Sequence, residues 1–174
     1  MRLFIAVNFN ENTRIQLISL REKLRLSSES GNFTSDDNLH LTLAFIGECN
    51  SKETDKIKSV MDTIIFNPFE TVIEKLGTFS HNTLWWAGVC ENKPLMDLQH
   101  EITHKLALCG FETDNRKYRP HITIGREVVT DTTPQKIEPF GETVKSIDLM
   151  KSERINGKLT YTAIYTKGTV KNDY

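Results

Sequence analysis

The sequence has no surplus of charge of either sign. Across 174 residues, 22 Lys and Arg stand against 23 Asp and Glu, a formal net charge of −1. Proteins that coat long stretches of nucleic acid carry a large basic excess, so that class is excluded, whereas a local site for one phosphate is not. Long apolar runs are missing as well. Nothing approaches the ~20 residues needed to span a bilayer, and Leu3–Val7 is too short for the core of a signal peptide, so no membrane association is expected. Cysteine is scarce: Cys49, Cys90 and Cys109 are odd in number, far apart and form no CxxC pair. Neither a zinc ribbon nor a redox dithiol is signalled, and the expectation is reduced, buried thiols in a cytoplasmic protein. Low-complexity segments and linkers are also lacking. A hydrophobic fraction of 38% and a charged fraction of 26% fit one folded domain over 1–174.

Strand signals fall at Leu3–Val7, Leu39–Ile46, Phe69–Leu76, Leu84–Cys90 and His121–Val129. Helical spacing marks Thr13–Leu26 (Leu17, Leu20, Leu24), a segment capped by Asn50 (Ile57, Val60, Met61, Ile64) that Pro68 stops, and Leu95–Cys109, which Gly110 ends. Ser27–Asn38 is polar and reads as a loop, and a turn is expected around Ser80–Asn82. A closing hairpin turns at Asn156-Gly157, a type I′ signal. The order β-α-β-α-β-β-α-β-β-β predicts an α+β fold with antiparallel sheets. It divides into halves of roughly 1–90 and 91–174, each with one strand that opens on a histidine.

Five histidines are present, and their neighbours separate them. His40-Leu41-Thr42-Leu43 and His121-Ile122-Thr123-Ile124 share the pattern His-aliphatic-Thr-aliphatic. Residues two apart on a strand share a face, so each strand presents an imidazole beside a hydroxyl while its aliphatics turn to the core. One such strand is an ordinary half-buried strand; two, one per half, point to a shared site. His81-Asn82-Thr83 falls in the expected turn and reads as surface. His100-Glu101-Ile102-Thr103-His104 matches the zinc-protease helix HExxH. Its histidines lie opposite the stripe Leu95, Leu98, Ile102, Leu106, and no third ligand follows along the helix, so an exposed helix face is expected.

Two imidazoles without a metal suit paired acid–base work, one taking a proton from a nucleophile while the other gives one to a leaving group. Unperturbed imidazole titrates near ~6.5, so both forms exist at neutral pH. Hydroxyls beside them suit the anionic oxygens of a phosphate. The combination suggests phosphodiester chemistry at a single phosphate.

These motifs resemble the paired HxTx signature of the two-histidine (2H) phosphoesterases. Arg2-Leu3-Phe4-Ile5-Ala6, the stretch from His40 to Gly47, Leu84-Trp85-Trp86-Ala87-Gly88-Val89 and the stretch from Tyr118 to Ile124 resemble, in matching order, the RNA 2′,3′-cyclic phosphodiesterase branch, also called 2′-5′ RNA ligase. The resemblance implies a bilobal fold in which two antiparallel sheets flank a central cleft, with helices on the outer faces. It implies hydrolysis of a 2′,3′-cyclic phosphate at an RNA end, such as that of a tRNA half, to a 2′-phosphomonoester, with reverse 2′-5′ ligation. No metal or other cofactor is implied. His121 would be the proton acceptor and His40 the proton donor, with Thr42 and Thr123 on the phosphate oxygens; the residues by themselves permit the reverse assignment.

By the same resemblance Phe45 is a base-stacking aromatic and Arg126 a phosphate contact, each five residues after its histidine. Strict alternation would turn both toward the core, unless the strand bulges, as Gly125 would allow. Of Trp85 and Trp86, which point to opposite faces, one belongs to the core and the other is free for a base. The alternatives are a 2H phosphodiesterase on another cyclic phosphate or a 2′,5′-linked oligonucleotide, a non-catalytic RNA-end binding module, and a zinc hydrolase. Nothing in the chain calls for more than a monomer. Arg116, Lys117, Arg119 and Arg126 gather positive charge around His121.

Overall fold

A computed structural model describes residues 1–79, 81 and 83–170. The elements are β1 (Arg2–Val7), α1 (Glu11–Leu26), β2 (Ser28–Phe33), a 3₁₀ turn (Asp36–Asn38), β3 (Leu41–Glu48), α2 (Ser51–Asp62), β4 (Phe69–Phe79) and β5 (Leu84–Val89). There follow α3 (Lys93–Leu108), β6 (His121–Thr130), β7 (Gln135–Val144), β8 (Ser146–Ile155) and β9 (Lys158–Gly168). Two antiparallel sheets form, one of order β3-β1-β8-β9 and one of order β2-β6-β5-β4-β7.

The sheets do not divide the chain at its midpoint. The first takes β1 and β3 from the start and β8 and β9 from the end; the second takes β2, which lies between β1 and β3 in the chain, and β4 to β7. The reason lies in β1, which is buried at every position from Leu3 to Val7. Such a strand needs a partner on each edge and cover on both faces, and β8 supplies the second edge. Contiguous halves drawn at 1–90 and 91–174 therefore do not each build one sheet.

The helices cover the outer faces with the stripes the spacing predicts. Leu17 and Leu24 of α1, Ile57, Val60 and Met61 of α2, and Leu95, Leu98, Ile102 and Leu106 of α3 join one continuous core with the inward faces of the strands. Asn50 and Glu53 form a full capping box at the start of α2. The helix ends earlier than Pro68 implies: Asp62 is its last residue, and the Thr63 hydroxyl donates to the Val60 carbonyl at 2.7 Å. Ile64 reaches the core from beyond the helix.

Two strands lie where the pattern shows none. Residues 28–33, expected as loop, form β2, and residues 135–144 form β7. Both are the edges of the five-stranded sheet. An edge strand bonds one neighbour through its backbone and has little apolar surface to bury, so its sequence carries almost no alternation. Ser28-Glu29-Ser30-Gly31-Asn32-Phe33 is such a case. The hairpin at Asn156-Gly157 is as expected, with positive φ at both residues (51 and 78). Of the turn expected around Ser80–Asn82, Ser80 and Asn82 lie outside the described residues, and His81 is exposed with φ 55.

Strand β7 docks on β4 through a close approach at Gly141, where a Cβ would collide with the Thr71 carbonyl oxygen. Gly141→Ala is expected to cost about 2–4 kcal/mol, read as a fall in Tm of roughly 5–15 °C. An unchanged Tm would contradict this docking.

Candidate active site

His40 stands one residue before β3 and His121 opens β6, so the two imidazoles come from different sheets. Each is fixed in the same way. The Nδ1 atom of His40 is 2.7 Å from the Asn38 carbonyl oxygen, and that of His121 is 2.7 Å from the Arg119 carbonyl oxygen. A carbonyl only accepts, so in both rings Nδ1 carries a proton and Nε2 is the nitrogen left for chemistry. His40 Nε2 lies 2.8 Å from Thr42 Oγ1. Among the described residues, no hydrogen bond reaches Nε2 of His121.

Each ring also packs against two aromatic side chains that touch each other. Phe4 and Tyr161 lie against His40 at centroid distances of 4.9 and 5.2 Å, and Phe79 and Trp86 lie against His121 at 5.1 and 6.5 Å. Burial among these rings is the largest influence on both imidazoles and holds their pKa values below the ordinary 6.5. The backbone carbonyls oppose the shift, and the positive charge of Arg126 adds to it at both sites. His40 is further lowered by the charge of His121. Because the folded values are depressed, neither ring costs stability above pH 6.5, and each destabilises the fold as pH drops from 6.5 through its folded value.

Both strands break register at the same place. On β3, Ala6 of β1 pairs with Thr42 and Ile5 with Ala44, so Leu43 has no partner. On β6, Trp86 pairs with Thr123 and Trp85 with Gly125, so Ile124 has none. The unpaired residue is in each case the third after the histidine. The extra residue shifts the alternation by one, and the fifth residue after the histidine returns to the face of the histidine and threonine. Phe45 is therefore 48% exposed instead of buried, and Arg126 is exposed after buried Ile124 and Gly125. Bulges resolve the conflict between alternation and the expected roles of these two residues.

Trp85 is core, at 1% exposure, and Trp86 is the tryptophan on the side of His121. Its ring lies over Gly77 and Gly88, at either of which a Cβ would collide with it. The guanidinium of Arg2 stands over the Phe45 ring at 5.1 Å.

A cavity of about 780 Å³ opens between the sheets, lined among others by Thr42, Phe45, Phe79 and His121. Two donors bridge from the far side to the open edge of β3: the Tyr118 hydroxyl donates to the Thr42 carbonyl at 2.7 Å, and the Gln99 amide donates to the Leu43 carbonyl at 3.3 Å. Tyr118 thereby ties the strand that carries one motif to the segment that leads into the other. Burial pushes its phenol pKa well above the ordinary range, so the hydroxyl keeps its proton. The spacing of the sequence gives no sign of this bond, nor of Phe4, Phe79 and Tyr161 as walls of the site; the alternation of Tyr161 with its neighbours on β9 is the one hint.

Among the described residues, His81, His100 and His104 are not part of the lining of this cavity. His100 and His104 are exposed and stack on each other at 6.1 Å, and Glu101 of the same motif pairs with Lys105 at 3.1 Å. Among the described residues no three His, Cys, Asp or Glu side chains converge there. Of the cations gathered near His121, Arg116 is committed to Asp114 at 2.7 Å and pulls that carboxyl down to about 2.

Arg126 is expected to act on both imidazoles at once. Arg126→Gln should raise the pKa of His40 and of His121 together in an NMR titration of the free protein. A rise at one ring only would contradict a shared position for this charge.

The profile of the 2′-5′ RNA ligase superfamily matches residues 15–156. The chain is 28% identical over 174 residues to the RNA 2′,3′-cyclic phosphodiesterase of Methanocaldococcus jannaschii, covering 98% of this chain and 96% of that one. It is 32% identical over 157 residues to the RNA 2′,3′-cyclic phosphodiesterase of Archaeoglobus fulgidus, covering 82% and 85%. The crystal structure of Escherichia coli LigT complexed with 3′-AMP superposes with a TM-score of 0.85 at 24% identity, over 98% of both chains, and shares the fold. With a family match over most of its length and relatives at this level of identity, the chain belongs to the 2′-5′ RNA ligase superfamily.

Proposed function

We propose that the protein hydrolyses 2′,3′-cyclic phosphate ends of RNA to 2′-phosphomonoesters by acid–base catalysis between His40 and His121. The observation that carries this reading is the matched pair of imidazoles. Each is held through Nδ1–H by a backbone carbonyl and desolvated by aromatic rings, and the Nε2 left for proton transfer belongs at His121 to a ring that lines the cleft and at His40 meets the hydroxyl of the cleft-lining Thr42. Relatives named RNA 2′,3′-cyclic phosphodiesterase along nearly the whole chain support the same reaction.

In this mechanism a water attacks phosphorus and gives its proton to Nε2 of His121. The bond from phosphorus to the 3′-oxygen breaks, and Nε2–H of His40 protonates that oxygen. The product is a 2′-phosphate with a free 3′-hydroxyl, and one proton has moved from one imidazole to the other. Thr42 and Thr123 hold the non-bridging oxygens, and Arg126 offsets the charge that builds on them. Phe45, exposed and backed by Arg2, stacks on a base. With the 5′-hydroxyl of a second RNA in the place of water, the same steps in the same direction give 2′-5′ ligation.

The substrate on this reading is any RNA that ends in the strained ring left by attack of a 2′-hydroxyl on its own phosphodiester, as on a tRNA half. A site complete within one chain supports a monomer. Free thiols at Cys49, Cys90 and Cys109 support a reducing cytoplasm. Among the described residues no helix is long and apolar enough to cross a membrane.

Substitution of either histidine by alanine should lower kcat/KM for a cyclic-phosphate oligonucleotide by about 10²–10⁴, with no loss in EDTA. The wild-type profile of kcat/KM against pH should be bell-shaped. Turnover that stops in EDTA, or a histidine variant of wild-type rate, would overturn the reading.

A further inference from the structure

The cavity is larger than the reacting phosphate needs. At about 780 Å³ it is lined not only by Thr42 and His121 but also by Thr113, Asp114 and residues 116–119, of the connection from α3 to β6. This wall has its own order. From Lys117 into β6 the chain is exposed at 117 and 119, half-buried at 118 and buried at 120. That is the alternation of an extended segment, in which residues two apart share a face. Tyr118 and Pro120 point inward, Tyr118 to the Thr42 carbonyl. Lys117, Arg119 and His121 then stand on one side in steps of about 7 Å, comparable to the rise between consecutive phosphates of an extended strand.

The charge on this wall is unevenly committed. Arg116 is paired with Asp114 through three side-chain contacts. Lys117 and Arg119 line the same cavity, and among the described residues neither has an ion pair or a side-chain hydrogen bond. The Arg119 carbonyl holds the His121 ring, so the base of this side chain is fixed relative to the reacting nitrogen. Two uncommitted cations on a rigid segment, next to a phosphate site and in line with it, are suited to a second phosphate of the same strand.

We propose that Lys117 and Arg119 bind the phosphodiester one nucleotide upstream of the terminal cyclic phosphate. The substrate class is then an oligonucleotide end, which this wall separates from a cyclic mononucleotide. This rests on the reading of His40 and His121 as the reacting pair.

The test is a cycle between protein and linkage. Two dinucleotides ending in a 2′,3′-cyclic phosphate are compared, one with a natural upstream phosphodiester and one with an uncharged methylphosphonate there. Wild-type kcat/KM should favour the charged linkage about tenfold. In Lys117→Gln/Arg119→Gln the ratio should fall to about one, and in Lys117→Arg/Arg119→Lys it should be kept. A wild-type ratio of one, or an equal ratio in wild type and the Gln variant, overturns the proposal. Binding of the two dinucleotides as their 2′-phosphate products, measured by calorimetry, gives the same ratio without turnover. Lost turnover with the binding ratio intact would overturn the catalytic reading and leave the subsite standing.

Discussion

The site depends on one departure from regular strand pairing, the unpaired residue three positions after each histidine. A regular strand delivers alternate side chains to a face, which gives His40 with Thr42 and His121 with Thr123 and then returns the next odd neighbour to the core. Skipping Leu43 on β3 and Ile124 on β6 re-phases each strand, and Phe45 and Arg126 join the face of the paired histidines and threonines. The same break accounts for two consecutive carbonyls, those of Thr42 and Leu43, both taking donors from outside their sheet. In an unbroken pleat they would point to opposite edges. Tyr118 and Gln99 use that opening to fix β3 against the opposite wall, so one irregularity both aims the side chains and helps to set the width of the cleft.

The two halves of the site match in more than sequence. Each imidazole has a carbonyl two residues back, a pair of aromatic walls and a bulge ahead of it. The walls come from different strands on the two sides: Phe4 and Tyr161 from β1 and β9, Phe79 and Trp86 from β4 and β5. Burial by the walls and the charge of Arg126 both favour neutral rings in the free protein. An arriving cyclic phosphate, a monoanion, works in the opposite sense, since it favours protonation of an adjacent imidazole. The proposed donor is thus charged most readily when substrate is present.

Much of this was legible in the sequence, and the parts that were not share a physical reason. Strands with a core face, helices with apolar stripes and the Asn156-Gly157 hairpin follow from periodicity and turn chemistry, and the paired His-x-Thr pattern is visible because a face repeats every second residue. Edge strands β2 and β7 leave little trace, since backbone pairing asks little of side chains. The bulges leave a contradiction, Phe45 and Arg126 out of phase, and only cross-strand register resolves it. The Tyr118 bond and the aromatic walls join residues distant in the chain, so no local pattern encodes them.

Each Nδ1–H is committed to a carbonyl, which leaves Nε2 as the nitrogen for proton transfer at both histidines. The most direct measurement is the ¹⁵N ring-nitrogen NMR spectrum of the free protein above pH 7, with His40 and His121 assigned by substitution. The account predicts that both rings are neutral and in the Nδ1–H tautomer. A Nε2–H tautomer at either ring would contradict it.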